Sequence, residues 1–147
     1  MATITDDDQF DLCLTLARAD AELRRQFDAE LAAHHGLSLN DTMILLAIHR
    51  APDQQLRRVD LAARLGLTAS GVTRLLGPLE RVGLIERVAN PADARVALTI
   101  LTKGGQQRVE EALDSARRVA HRVLGPRFTA DEVALLTDLL ARLLPGA

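Results

Sequence analysis

The strongest constraint on the fold of this chain is a punctuated run between Leu56 and Leu101, where two short apolar-periodic stretches meet at Gly66-Leu67 and two β-prone segments follow. The first stretch reads as a helix capped by Asp60 that turns Leu61, Ala62 and Leu65 inward. Gly66 can take the left-handed conformation that ends a helix without a Cβ penalty, and Leu67 then plugs the corner. Thr68 is placed to accept a hydrogen bond from the free amides of a second helix. In that helix Val72, Leu75, Leu76 and Leu79 recur at i, i+3, i+4 and i+7, which is one buried stripe. At about 100° per residue, Ser70, Arg74, Gly77 and Arg81 point away from the stripe, with Thr73 at its edge. Such a small, basic face suits the major groove of a double helix.

Gly83 closes the second helix, and a two-stranded hairpin follows. Leu84 to Val88, with Arg87 among them, reads as one strand, and Val96, Leu98 and Ile100 alternate along the returning one. Asn90-Pro91 marks the turn region. A loop carrying Arg95 can lay a guanidinium into a narrow minor groove, and Asp93, two residues earlier, is placed to hold it. Helix, turn, helix and hairpin together predict a winged helix-turn-helix. Gly77-Pro78 breaks the pattern, because a proline there lacks an amide and clashes with the carbonyl of Arg74. A kink is expected, with the helix bending rather than stopping and its half from Ala69 to Leu76 entering the groove. Base readout would then rest on Ser70, Thr73 and Arg74.

Net charge hides an asymmetry. The whole chain carries −2, yet Leu56 to Arg108 holds nine basic and four acidic residues, a local +5 that leaves −7 for the remainder. A basic lobe on an acidic body orients a protein on a phosphate backbone. Any one of these arginines alone reads as a solvated surface charge; their clustering in one motif is what points to nucleic acid. With no Trp, no Tyr and three Phe, the chain lacks the platforms on which single strands stack, so duplex DNA is the expected partner.

Composition excludes other classes. No apolar run approaches the ~20 residues of a membrane span, and the start of the chain from Met1 to Phe10 is acidic, so no membrane partner is expected. One cysteine cannot make an internal disulfide, which fits a reducing compartment, and the expected location is cytoplasmic. There is no phosphate loop, no nucleophile elbow and no His-Glu-x-x-His, so the chain is not expected to be an enzyme and no catalytic residue or cofactor is assigned. His34 and His35 are adjacent and diverge by about 100° on a helix, and no Cys/His spacing resembles a closed metal site.

Outside the motif the pattern is helical. A long first helix from Asp7 to His34 places Leu12, Leu16, Ala19, Leu23, Phe27 and Leu31 near one stripe. Ser38 caps a second through Met43, Ile44, Leu45 and Ile48. Thr102 caps another, with Val109, Leu113, Ala116, Ala120 and Val123 on its stripe and its first turn weakened by Gly104 and Gly105. Thr129-Ala130-Asp131-Glu132 forms a capping box for a last helix running to about Leu144. That helix has too many leucines for one face, and exposed apolar area on so small a chain marks an interface. A homodimer built from the first and last helices is expected. The fold class is thus mainly α with a small β wing: a winged DNA-binding lobe over residues 38–101, flanked by dimerisation helices over 7–35 and 102–147 of a single 1–147 chain.

The run Arg58-Val59-Asp60-Leu61-Ala62-Ala63-Arg64-Leu65-Gly66-Leu67-Thr68, then Gly71-Val72-Thr73-Arg74-Leu75-Leu76, Leu79-Glu80-Arg81-Val82-Gly83-Leu84-Ile85, Asp93-Ala94-Arg95 and Leu101-Thr102-Lys103-Gly104-Gly105 resembles the MarR family of bacterial transcription regulators. The resemblance implies a dimer whose terminal helices interlock, two winged lobes straddling a pseudo-palindromic operator, and repression as the usual mode. By position it implies Thr68 to Val82 as recognition helix, Arg95 as wing arginine and Asp93 as its orienting aspartate. It also implies a small aromatic or anionic effector near the junction of the dimer helices and the lobe, where Arg18, His35, His49 or Arg50 would supply polar contacts; each also reads as an ordinary paired or solvated side chain. Cys13 is placed like the peroxide-sensing cysteine of some relatives. A redox role competes there with plain packing as a small apolar residue, since the chain has no tyrosine to steady a thiolate. A winged-helix module for protein docking is the remaining alternative.

Overall fold

In the computed structural model, which describes residues 3–145, Thr5 opens a 30-residue helix, α1 (Asp6–His35). Its hydroxyl accepts from the Asp8 amide and the Asp8 carboxylate answers to the Thr5 amide, a reciprocal cap that satisfies two free amides at once. Ser38 and Asp41 repeat the device for α2 (Leu39–His49). The two helices are clamped where they meet: the Leu39 amide donates to Asp28 at 2.6 Å, and Arg24 donates to Asn40 at 2.7 Å.

A short turn, Pro52–Gln54, holds Asp53 and Gln54 at positive φ and delivers β1 (Gln55–Arg57). The Gln54 side chain accepts from Gln106 at 3.1 Å, which pins the turn. β1 passes without a linker into α3 (Arg58–Leu65), which Gly66 ends at φ 63° before α4 (Ala69–Arg81) begins. β2 (Ile85–Ala89) and β3 (Ala97–Leu101) form the wing, and α5 (Lys103–Leu124) and α6 (Ala130–Ala141) complete the chain. The sheet is antiparallel with order β1-β3-β2, Leu56 facing Thr99 and Arg87 facing Thr99 from the other side.

The core is filled by Leu31 of α1, Ile44, Leu45 and Ile48 of α2, Leu61 of α3, Val72, Leu76 and Leu79 of α4, and Val109 and Ala112 of α5. Each helix of the lobe therefore contributes one face to a shared interior, and the end of α1 docks on it. A polar tie reinforces that dock: His35 Nε2 lies 2.8 Å from the buried Ser115 hydroxyl, which also accepts from Arg118, while Arg108 donates to the His35 carbonyl at 2.6 Å.

Several expectations are corrected. The sheet has three strands, not two, because Gln55–Arg57 pairs with the free edge of β3. Thr99 is buried as a result, since β3 is the central strand. Asp60 does not cap α3; the helix starts two residues earlier with no side-chain cap, and Asp60 instead takes two hydrogen bonds from Arg57. Leu67 is 38 % exposed, so it lies at the surface of the corner between α3 and α4 rather than buried within it. On α5 the buried positions are Gly105, Val109, Ala112, Ser115, Val119 and Val123, so Leu113, Ala116 and Ala120 sit at the edge of the stripe rather than its centre. α6 ends at Ala141, and Leu143 and Leu144 belong to tight turns beyond it. Along α1 only Leu31 of the expected stripe is buried in the single chain. Positions 146 and 147 of the C-terminal segment lie outside the described residues. No described helix is long and apolar enough to cross a membrane.

Candidate nucleic-acid interface

The N-terminus of α4 is set by Thr68, whose hydroxyl accepts from the Gly71 amide at 3.1 Å and lies 3.2 Å from the Ser70 hydroxyl. A Cβ on Gly71 would come within 3.1 Å of that hydroxyl, so the cap favours a residue with no side chain there. Ser70, Thr73, Arg74 and Arg81 are all exposed on the face opposite Val72, Leu76 and Leu79. Thr73 spends its proton inside the helix, donating to the Ala69 carbonyl at 2.9 Å, and so presents only acceptor lone pairs and a methyl group outward. Arg74 and Arg81 form no ion pair or side-chain hydrogen bond among the described residues. The Arg81 guanidinium passes over Gly77, where an added Cβ would lie 3.9 Å from it.

α4 runs unbroken through Pro78, as the continued apolar pattern of Leu79 requires. The ring removes the amide that would have reached the Arg74 carbonyl, so that carbonyl is left without its intrahelical donor.

The wing tip is built from side-chain turns. Asn90 receives the Ala92 amide on its side chain at 2.9 Å and donates its own amide to the Val96 carbonyl at 2.9 Å. Asp93 then gathers Arg95: one carboxylate oxygen accepts both the Arg95 amide and Nε at 3.1 Å, and the other accepts Nη2 at 3.3 Å. The Arg95 guanidinium, by bonding to it, holds the Asp93 carboxyl below the usual carboxylate range, and the Arg95 amide adds to the effect. Arg95 itself remains 91 % exposed, oriented but not covered.

Between the wing and the start of α3 lies a cleft of about 390 Å³ bounded by Arg57, Arg58, Arg87 and Arg95, with Thr99 at its floor. Arg57 is paired with Asp60 and Arg95 with Asp93, whereas Arg58 and Arg87 have no carboxylate partner among the described residues. The sequence pointed to Arg87 and Arg95 but not to Arg57 and Arg58. Their signal was the arginine doublet itself, unreadable as part of a site until β1 places it against β3.

The effector candidates do not converge in the same way. Arg18 lines a shallow hollow with Thr15, Ala19 and Glu22, and Arg50 a separate groove with Met43 and Leu65. His35 is engaged with Ser115, and His49 keeps Nδ1 buried without a hydrogen-bond partner among the described residues. Cys13 is exposed on α1, which removes it from the core of the single chain.

Comparison with known proteins agrees with this geometry. The MarR family profile matches residues 35–96, from the end of α1 through the wing. The chain is 31 % identical over 108 residues to YdgJ of Bacillus subtilis, an uncharacterised HTH-type transcriptional regulator, covering 74 % of this chain and 64 % of that one. It is 38 % identical over 87 residues to the multiple antibiotic resistance protein MarR of Escherichia coli, covering 59 % and 60 %. The matches thus span somewhat less than two thirds of these relatives' length. Among solved structures, a mutant MarR from E. coli complexed with operator DNA shares the fold with a TM-score of 0.82 and 27 % identity, covering 97 % of this chain and 100 % of that one.

Proposed function

Because the chain belongs to the MarR family of winged helix-turn-helix transcriptional regulators, we propose that it is a sequence-specific duplex-DNA-binding regulator, acting in the cytoplasm as a repressor. One observation carries the reading: Arg74 and Arg81 on α4, Arg87 in the wing and Arg95 at its tip are exposed on the same lobe, and Arg95 is held in place by Asp93. Ser70, Thr73 and Arg74 read base edges, the Asp93-Arg95 tip enters the minor groove, and Arg81, Arg87 and Arg58 bind phosphate. Phosphate contacts position the lobe, while base contacts select the site.

The active form in this reading is a homodimer on a pseudo-palindrome. Phe10, Leu12 and Leu14 on α1 and Leu135, Leu136, Leu139 and Leu140 on α6 are exposed in the single chain, an apolar area that a soluble monomer rarely leaves open. Release is assigned to a small aromatic or anionic effector that binds the free form more tightly than the DNA-bound form, since equal affinity shifts nothing.

The test is an electrophoretic shift assay with the gene's own upstream region at two salt concentrations. Binding should fall steeply with salt, log K dropping by about 0.9 per log unit of salt for each phosphate the protein neutralises. Binding that is absent, or indifferent to salt, overturns the reading.

A further inference from the structure

Every described α-helix except α3 opens on a Ser or Thr whose hydroxyl accepts an amide of its first turn. α3 opens on Arg57, which makes no side-chain cap. A hydroxyl at that position would steady the helix, so an arginine there forgoes stability that the other helices keep. Its side chain turns instead to Asp60 in the first turn of α3. Nε donates to one carboxylate oxygen at 2.8 Å and Nη2 to the other at 3.0 Å. Paired in this side-on way, the guanidinium keeps Nη1 and one Nη2 hydrogen free to donate elsewhere.

The backbone beneath the pair is fixed. Arg57 faces Leu98 of the central strand, and Leu56 beside it is buried, so alternation along β1 sends the Arg57 side chain outward. There it borders the cleft that Arg58, Arg87 and the wing arginine Arg95 also line. Arg57 thus repeats on the β1 side of the cleft what Arg95 does on the wing side. Each donates twice to a carboxylate close by in sequence, and each stays open to solvent, Arg57 at 52 %. A free guanidinium on so long a stem must be immobilised as a phosphate binds, whereas one already held has lost that freedom on folding.

On the reading of the chain as a duplex-DNA-binding protein, we propose that Asp60 is a positioning residue, which presents Arg57 to the sugar-phosphate backbone beside the groove that Arg95 enters. Two effects of its carboxylate oppose each other. Its charge repels phosphate, but that charge is covered by the guanidinium and screened beyond ~10 Å at 0.1 M salt. Its hold on Arg57 removes the ordering cost of a long side chain, a factor of about two to ten in affinity. The hold outweighs the repulsion, so taking an acidic side chain away from the binding face weakens the complex.

Simple charge repulsion gives the opposite sign, which titration can read. Wild type, Asp60→Ala, Arg57→Gln and the double variant are titrated against the gene's own upstream duplex and a scrambled duplex of equal length. Asp60→Ala should lose about threefold or more on both, since a phosphate contact carries no sequence preference. Arg57→Gln should also lose on both and flatten the salt slope by about 0.9 for each protomer bound. In the Arg57→Gln background, Asp60→Ala should bind equally well or more tightly, because only repulsion is left to remove; a helix merely damaged by the substitution would lose there too. If Asp60→Ala lowers helicity, Arg57→Lys is read in its place, since it keeps the charge without the fork and should lose about threefold. Asp60→Ala binding as well as wild type or better, the same loss with and without Arg57, or undiminished binding by Arg57→Lys overturns the assignment and leaves the DNA reading standing. Wild type that binds neither duplex overturns both.

Discussion

Gly105, in the first turn of α5, lies directly against the carbonyl of Leu84, so closely that a β-carbon at position 105 would overlap the carbonyl oxygen. The neighbouring Gly104 has nothing nearer than 3.7 Å to such an atom. Gly105→Ala should therefore destabilise the chain by about 1 to 3 kcal/mol or more, the range for forced overpacking against backbone that cannot yield. Gly104→Ala should be neutral or stabilising by up to ~1 kcal/mol, from helix propensity. Urea unfolding midpoints of the two variants check the contrast, and equal shifts would contradict it.

Arg74 separates base reading from backbone binding. As a base reader, Arg74→Ala should weaken binding by about 1 to 3 kcal/mol more on a cognate operator than on a scrambled duplex, whereas Arg81→Ala should weaken both alike and flatten the salt slope by about one unit. Titrations of both variants on both duplexes decide it. Equal losses for Arg74→Ala would move that residue to the phosphates.

The wing tip makes a statement about protons. Because bonding to Arg95 lowers the Asp93 pKa in the folded chain, the pair's contribution is present above the ordinary carboxylate value and disappears as pH falls through the lowered one. Binding between pH 5 and 8 should not vary through this pair. In a carboxyl-detected NMR titration, Arg95→Ala should return Asp93 upward toward its usual value of about 3.9. A midpoint unchanged by the substitution would mean that the two side chains do not meet in solution.

Leu136 and Leu140 lie one turn apart on α6 and are 40 % and 43 % exposed. On a monomer, replacing both by Glu would change stability by no more than ~0.5 kcal/mol each. On a dimer interface it should halve the solution mass, from twice the 16.0 kDa of one chain to the single value, with helicity retained. Light scattering on the eluting peak gives the answer, and an unchanged dimer mass for the variant would relocate the interface.

The helices were legible because their punctuation is chemical and local: Ser38, Thr68, Thr102 and Thr129 each announce a start, and each accepts the amide its position predicts. What escaped depends on distant partners. β1 is three residues long, too short for any alternation to register, and exists because β3 offers it an edge. Asp60 has the look of a cap, but Arg57 competes for its carboxylate, which the Arg57 bonds hold below the usual range. The buried face of α5 is displaced by one position from its apolar pattern because Ser115 is polar by type yet buried by virtue of His35 and Arg118. On the candidate interface, α4 and Arg95 were visible from spacing, whereas Arg57 and Arg58 became part of it only once the third strand was in place.

The absence of a linker between Arg57 and Arg58 has a mechanical consequence. β1 is stitched to β3 on one side and runs straight into α3 on the other, so the hairpin and the helix-turn-helix cannot slide independently. In the proposed homodimer, this makes the spacing between the two lobes, rather than the shape of either, the quantity available for control.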